Sequence, residues 1–189
     1  MKSFNPARQA FALMALFAAA FLLSACGSAP AVGWSSPVVS NSLVYFGTDA
    51  NRVIAVKTAT GEIAWEFPVK DASSTLGAIY ATPALADGMI YIGATDHKLY
   101  KLDATTGEKK WEYKMVGDSW TGTLATAGGL VFSADSAGNF LALNADTGEP
   151  LWHLLLGAAV RSNPVSYAVD GKQYVADSAG NTLFVFSLP

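Results

Sequence analysis

Cysteine is almost absent from this chain: Cys26 is the single example in 189 residues. No disulfide can close within the chain, and no cysteine cluster can hold a metal. Histidine is nearly as scarce, with two in all. His97 and His153 occupy different places in the repeat described below, so they form no pair. Charged residues make up only 14%. With Lys2 and Arg8 set aside, ten basic residues remain against fifteen acidic ones. No basic cluster survives, which removes the electrostatic basis for binding nucleic acid. Apolar periodicity of helical type is missing beyond residue 26, so the body of the chain does not read as helical.

What is present begins with an export address. Lys2 and Arg8 make a short positive segment, followed by an unbroken apolar or small stretch from Ala10 to Leu23. That run is short for a membrane span and ends in small residues, the pattern of a cleaved signal. Leu23-Ser24-Ala25-Cys26 resembles the bacterial lipobox, in which the cysteine becomes the first residue and carries lipid. The reading divides the chain into a lipoprotein signal peptide (1–26), a short tether (27–35) and a folded domain (36–189). Gly27, and not aspartate, follows the cysteine; by the sorting logic of such proteins this implies the periplasmic face of the outer membrane. The 163 residues beyond Cys26 are enough to bury a core.

Three markers repeat in a shared register. Thr60-Gly61-Glu62, Thr106-Gly107-Glu108 and Thr147-Gly148-Glu149 are each followed by a tryptophan, Trp65, Trp111 and Trp152, four residues after the glycine. Asn41-Ser42, Asp87-Gly88, Gly128-Gly129 and Asp170-Gly171 stand between short β-rich runs at steps of 46, 41 and 42, and such dipeptides favour hairpin turns. The hexapeptide from Ala134 to Asn139 recurs from Ala176 to Asn181. In the second unit the runs Thr82 to Ala86, Met89 to Ala94, Lys98 to Leu102 and Lys109 to Met115 read as four strands joined by three turns. Four antiparallel strands per unit is the pattern of a propeller blade. The expected fold is all-β: four blades, forming half of an eight-bladed ring or a small four-bladed one. Trp65, Trp111 and Trp152 are expected to fill the gaps between blades. The last unit has no Thr-Gly-x-x-x-Trp segment and is expected to lack its fourth strand. Leu124 stands where the other units carry Pro37, Pro83 and Pro164.

The stretches Leu102 to Trp111, Leu143 to Trp152 and Val56 to Trp65 resemble the tryptophan-docking repeat of the quinoprotein (PQQ) propeller superfamily. That superfamily includes quinone-dependent alcohol dehydrogenases and the propeller lipoprotein of the outer-membrane β-barrel assembly machine. The lipobox and early units resemble the assembly-type lipoprotein. The segment from Gly128 to Val175 and the end from Phe186 to Pro189 resemble the last blades of the dehydrogenases. The dehydrogenases' adjacent-cysteine ring has no counterpart in a chain with one cysteine. Their calcium-binding carboxylates and catalytic aspartate find no match either. The resemblance therefore implies the fold and leaves two functions open. One is a non-catalytic, membrane-anchored binding or scaffold module of the periplasm. The other is a shortened quinoprotein that holds pyrroloquinoline quinone with calcium.

Asp49, Asp96, Asp135 and Asp177 read as turn residues between second and third strands, where aspartate stabilises tight turns through its own backbone hydrogen bonds; no metal is assigned to them. Neither catalysis nor a metal is assigned to His97 or His153. Trp34, Tyr80, Trp120 and Arg161 stand three or four residues ahead of the Pro or Leu position in successive units. In a propeller that segment enters the inner strand at the mouth of the central channel, and such residue types dominate binding hot spots. They are the candidate binding ring. The expected partners are a membrane, through lipid on Cys26, and a periplasmic or outer-membrane protein. A second copy is also expected, joining the first unit (Ser36 to Val69) to the last (Ser162 to Leu188).

Overall fold

The computed structural model describes residues 35–69 and 76–187. Cys26, Trp34 and Leu188 lie outside the described residues. The first blade holds β1 (Val38–Ser40), β2 (Leu43–Gly47), β3 (Val53–Lys57) and β4 (Ile63–Phe67). The second holds β5 (Ala84–Ala86), β6 (Met89–Ala94), β7 (Lys98–Asp103) and β8 (Lys109–Lys114). The third holds β9 (Leu124–Ala125), β10 (Leu130–Ala134), β11 (Asn139–Asn144) and β12 (Pro150–Leu155). The fourth holds β13 (Val165–Val169), β14 (Lys172–Ala179) and β15 (Thr182–Ser187). Each blade is an antiparallel meander with strands in sequence order, four-stranded in the first three and three-stranded in the last.

Local chemistry sets the meander. At the Asp87-Gly88 turn the two residues have φ of 49° and 72°, the left-handed pair that a tight hairpin needs. In each of the first three blades a register shift marks the pairing of third and fourth strands, at Ala55/Val56, Lys101/Leu102 and Ala142/Leu143. Alternation then divides every strand between two faces. One face of each blade meets the opposite face of the next.

Three apolar clusters fill these junctions. Between blades one and two, Tyr45, Val53 and Ala55 meet Ile90, Ile92 and Leu102. Between two and three, Tyr91 and Leu99 meet Val131, Leu141 and Leu143. Between three and four, Phe132, Phe140 and Ala142 meet Val175, Phe184 and Phe186. Among the described residues no such cluster joins the fourth blade to the first. The four blades thus form an open part of a propeller, and the alternative of a small closed ring is set aside.

The recurring tryptophans are not equivalent. Trp65 donates its indole N–H to the Ala104 carbonyl at 3.0 Å and Trp111 to the Ala145 carbonyl at 3.1 Å. Each indole also lies against a glycine of the next blade. A Cβ on Gly107 would sit 2.6 Å from the Trp65 ring, and one on Gly148 would sit 2.8 Å from that of Trp111. Among the described residues Trp152 meets no such loop, the fourth blade being three-stranded there. It packs edge-on against Phe140 and Phe186 and stays 40% exposed.

Two further expectations are corrected. The first strand of the second blade is Ala84–Ala86, shorter than Thr82 to Ala86, because Thr82 is taken up in bonds to the neighbouring linker. Asp177 lies within β14, paired with Phe184, and not in a turn. The hairpin there tightens to Gly180 and Asn181, whereas the identical hexapeptide in the third blade opens into a longer loop from Asp135.

Candidate functional site

The segment that enters each blade runs past the innermost strands, and neighbouring segments are stitched together. Ser35 Oγ donates to the Ala81 carbonyl at 2.8 Å. Thr123 N–H donates to the Thr82 carbonyl at 3.1 Å, and Gly122 N–H to Asn163 Oδ1 at 2.8 Å. Thr123 Oγ also donates to the Tyr91 carbonyl at 2.7 Å and accepts from Ala84 N–H at 2.8 Å, which ties its linker to the inner strands of the second blade. These bonds fix the spacing of successive linkers, and with it the side chains they carry.

Three of the four candidate ring residues come together as a result. Tyr80 and Trp120 stack with ring centroids 4.8 Å apart and planes inclined by 11°. The Arg161 guanidinium lies 5.8 Å from the Trp120 ring centre, within cation–π range. Residues from three consecutive linkers therefore form one pile. It lines an open cleft of about 550 Å³ with Ser36, Thr82 and Asn163. Arg161 also borders a second hollow with Ala159, Ser162, Ser178 and Gly180, and among the described residues it makes no ion pair. Trp34, the fourth candidate, lies outside the described residues.

Ser36, Thr82 and Asn163 were not singled out from sequence, although a signal was there. Each directly precedes the proline that opens its blade, and Thr123 directly precedes Leu124 in the same register. At this repeat position Thr82, Thr123 and Asn163 make the bonds between linkers, while Ser36 lines the cleft and its neighbour Ser35 makes the bond.

The four aspartates differ in their surroundings. Asp135 is fully buried and accepts from the backbone N–H groups of Val116, Gly117, Ala137 and Asn139 at 3.0–3.2 Å. It clamps the linker into the third blade. Asp96 accepts the Tyr100 hydroxyl, and burial together with that carboxylate drives the Tyr100 pKa far upward. Asp177 is 2% exposed. Its Oδ1 accepts from Ser162 Oγ and from the Ser178 N–H, while its Oδ2 has no partner. Burial pushes its carboxyl above the usual range. Asp49 is exposed in its turn. His97 pairs with Asp118 at 2.7 Å, and His153 stands exposed on β12.

Among the described residues no three His, Cys, Asp or Glu side chains gather as a metal site. Calcium takes six to eight oxygen ligands, mostly carboxylates and carbonyls, and the four separate aspartates, three of them already bonded to backbone amides or hydroxyls, do not supply that set among the described residues. Among the described residues the donor chemistry does not fit a calcium-held quinone.

Comparison with known proteins gives the fold its lineage. A family model described as outer membrane protein assembly factor BamB matches residues 21–122. The chain belongs to the PQQ-type propeller family. A second model of that lineage, the β-propeller domain of glucose, ethanol and alcohol dehydrogenases, matches residues 115–175. Quinohemoprotein alcohol dehydrogenase ADH-IIG of Pseudomonas putida is 51% identical over 59 residues, 31% of this chain and 8% of that protein. Lupanine 17-hydroxylase of a Pseudomonas species is 47% identical over 60 residues, 32% of this chain and 9% of that protein. BamB of Moraxella catarrhalis superposes with a TM-score of 0.65 at 23% identity, over 84% of this chain and 47% of that one. A europium-containing methanol dehydrogenase gives 0.65 at 17% identity, over 76% of this chain and 38% of its own. This PQQ-type propeller thus spans a tenth or less of those curated relatives and under half of the superposed structures.

Proposed function

We propose that the chain is a non-catalytic, lipid-anchored envelope protein whose channel mouth holds a protein partner at the periplasmic face of the outer membrane, as part of outer-membrane protein assembly. The observation that carries this reading is the Tyr80–Trp120–Arg161 pile. It presents aromatic surface and a cation without an ion-pair partner among the described residues, beside an open cleft. Aromatic and arginine side chains at the centre of a groove are what protein interfaces use as anchors. The match of residues 21–122 to the BamB family model and the lipobox-like stretch ending at Cys26 support the envelope setting.

A second reading, a shortened quinoprotein taking part in oxidoreduction, draws on the short, high-identity matches to quinoprotein dehydrogenases. The scattered aspartates and the single cysteine favour the first.

A photo-crosslinking residue placed at Ser36 in cells expressing the full chain tests the proposal. It should give a discrete protein adduct in the membrane fraction, lost with Arg161→Glu or Trp120→Ala. The same probe at Lys114, exposed on β8, should give none. Equal adducts at both positions, or none at the cleft, would overturn the proposal.

A further inference from the structure

The three junctions between blades share one register, and the outer faces of blades one and four carry the same pattern without a blade packed on them among the described residues. At the first junction the leading face of blade one offers Val53 and Tyr45 to Tyr100 and Ile92 on the trailing face of blade two. At the second, Leu99 and Tyr91 meet Leu141. At the third, Phe140 and Phe132 meet Phe184.

The positions equivalent to Val53, Leu99 and Phe140 in blade four are held by Leu183, and those equivalent to Tyr45, Tyr91 and Phe132 by Ala176, which faces Val185 across the ladder. Leu183 and Val185 are 69% and 48% exposed. On the adjoining strand of that face Tyr167 stacks on Tyr174 at 5.4 Å. This is a leading face with nothing packed on it among the described residues.

Blade one carries the matching half. Its trailing face holds the cross-strand pairs Val44–Val56 and Phe46–Ile54. These are the register equivalents of Ile90–Leu102 and Ile92–Tyr100, which the first junction buries. Val44, Phe46, Ile54 and Val56 are half-buried, and among the described residues no neighbouring blade packs on this trailing face or on the leading face of blade four.

We infer that these two faces pair with each other between two copies of the chain. Blade four of one copy packs on blade one of the other, twice, around a twofold axis along the channel. The occupant is a second copy because the faces continue, register for register, an interface the chain already makes three times. The chain spans 47% of the superposed BamB, so two copies supply a ring of about that protein's length. Eight blades lie within the roughly four to eight that propellers use, and closed twofold dimers are the commonest assembly. Closure also removes apolar faces that a monomer would expose to aggregation. The inference does not depend on what the mouth binds.

The test uses the full chain in detergent, its mass measured by light scattering with refractive-index correction for the micelle. The wild type should have the mass of two chains. Leu183→Lys alone and Ile54→Glu alone should each lose the dimer. Mixing the two should restore it, because the lysine introduced in one variant then faces the glutamate introduced in the other at one junction, while the second junction is native. Restoration on mixing also shows that neither variant has merely misfolded. A wild-type monomer, an open series of larger assemblies, or a dimer that survives both substitutions would overturn the inference.

Discussion

The most discriminating perturbation of the fold is truncation of the tryptophans one at a time, because the structure makes them unequal. Trp65 and Trp111 each lie under a glycine loop of the next blade and donate to its carbonyl. Deleting a buried large aromatic costs about 3–5 kcal/mol, and both should fall in that range. Trp65→Ala should be the worse of the two. The Ala145 carbonyl that Trp111 leaves still accepts the Lys101 ammonium at 2.8 Å and the Tyr91 hydroxyl at 3.4 Å. Trp152, 40% exposed, should cost about 2–3 kcal/mol, the same range scaled to the fraction buried. Trp120, equally exposed and held chiefly by one stacking contact, should cost about 1 kcal/mol. Glycine supplies the control. Gly61, Gly107 and Gly148 share φ of 73–75°, so alanine strains each by about 1–2 kcal/mol. At Gly61 nothing lies within 4 Å of the new methyl. At Gly107 and Gly148 it meets an indole, which should add about 1–3 kcal/mol. Urea unfolding followed by circular dichroism gives all seven values. A flat tryptophan profile, or Gly61→Ala as damaging as Gly107→Ala, would refute the docking account.

Two further outcomes are expected. If lipid sits on Cys26, the wild type should partition into membranes and detergent, and Cys26→Ala should release a soluble periplasmic form; a wholly soluble wild type would contradict the anchor. Asp177 has a raised carboxyl pKa because it is buried, so the native state holds a proton that the unfolded chain has already released. Its contribution is complete below the ordinary aspartate range and is lost as pH rises through the raised value. Asp177→Asn should therefore gain stability over the wild type as pH rises through that window, read from paired denaturation curves, and a pH-independent difference would contradict the cause assigned.

Much of the blade was legible because it is written in local chemistry. Met89 to Ala94 was placed to the residue, and Lys98 to Leu102 missed one residue, since turn dipeptides and alternation both act over short range. The mouth was legible only in outline. Repeat position brought Tyr80, Trp120 and Arg161 to one rim, but their stacking depends on linker bonds such as Thr123 to Thr82, which connect residues 41 apart. The hexapeptide shared by Asp135 and Asp177 shows why the rest was hidden. Asp135 finds four backbone amides and opens a loop, whereas Asp177 finds Ser162 and stays in the strand. Identical residues settle differently because their partners come from another segment. Trp152 differs from its two counterparts for a similar reason: what covers an indole belongs to the next blade, not to its own.

The proposed function has the mouth of this propeller recognise protein in place of a redox cofactor. The full chain, incubated with pyrroloquinoline quinone and excess calcium and then separated from free ligand by gel filtration, tests it most directly. The account predicts a protein peak without quinone absorbance, alike for the wild type and for Trp120→Ala. A peak carrying one quinone per chain, lost on Trp120→Ala, would contradict it.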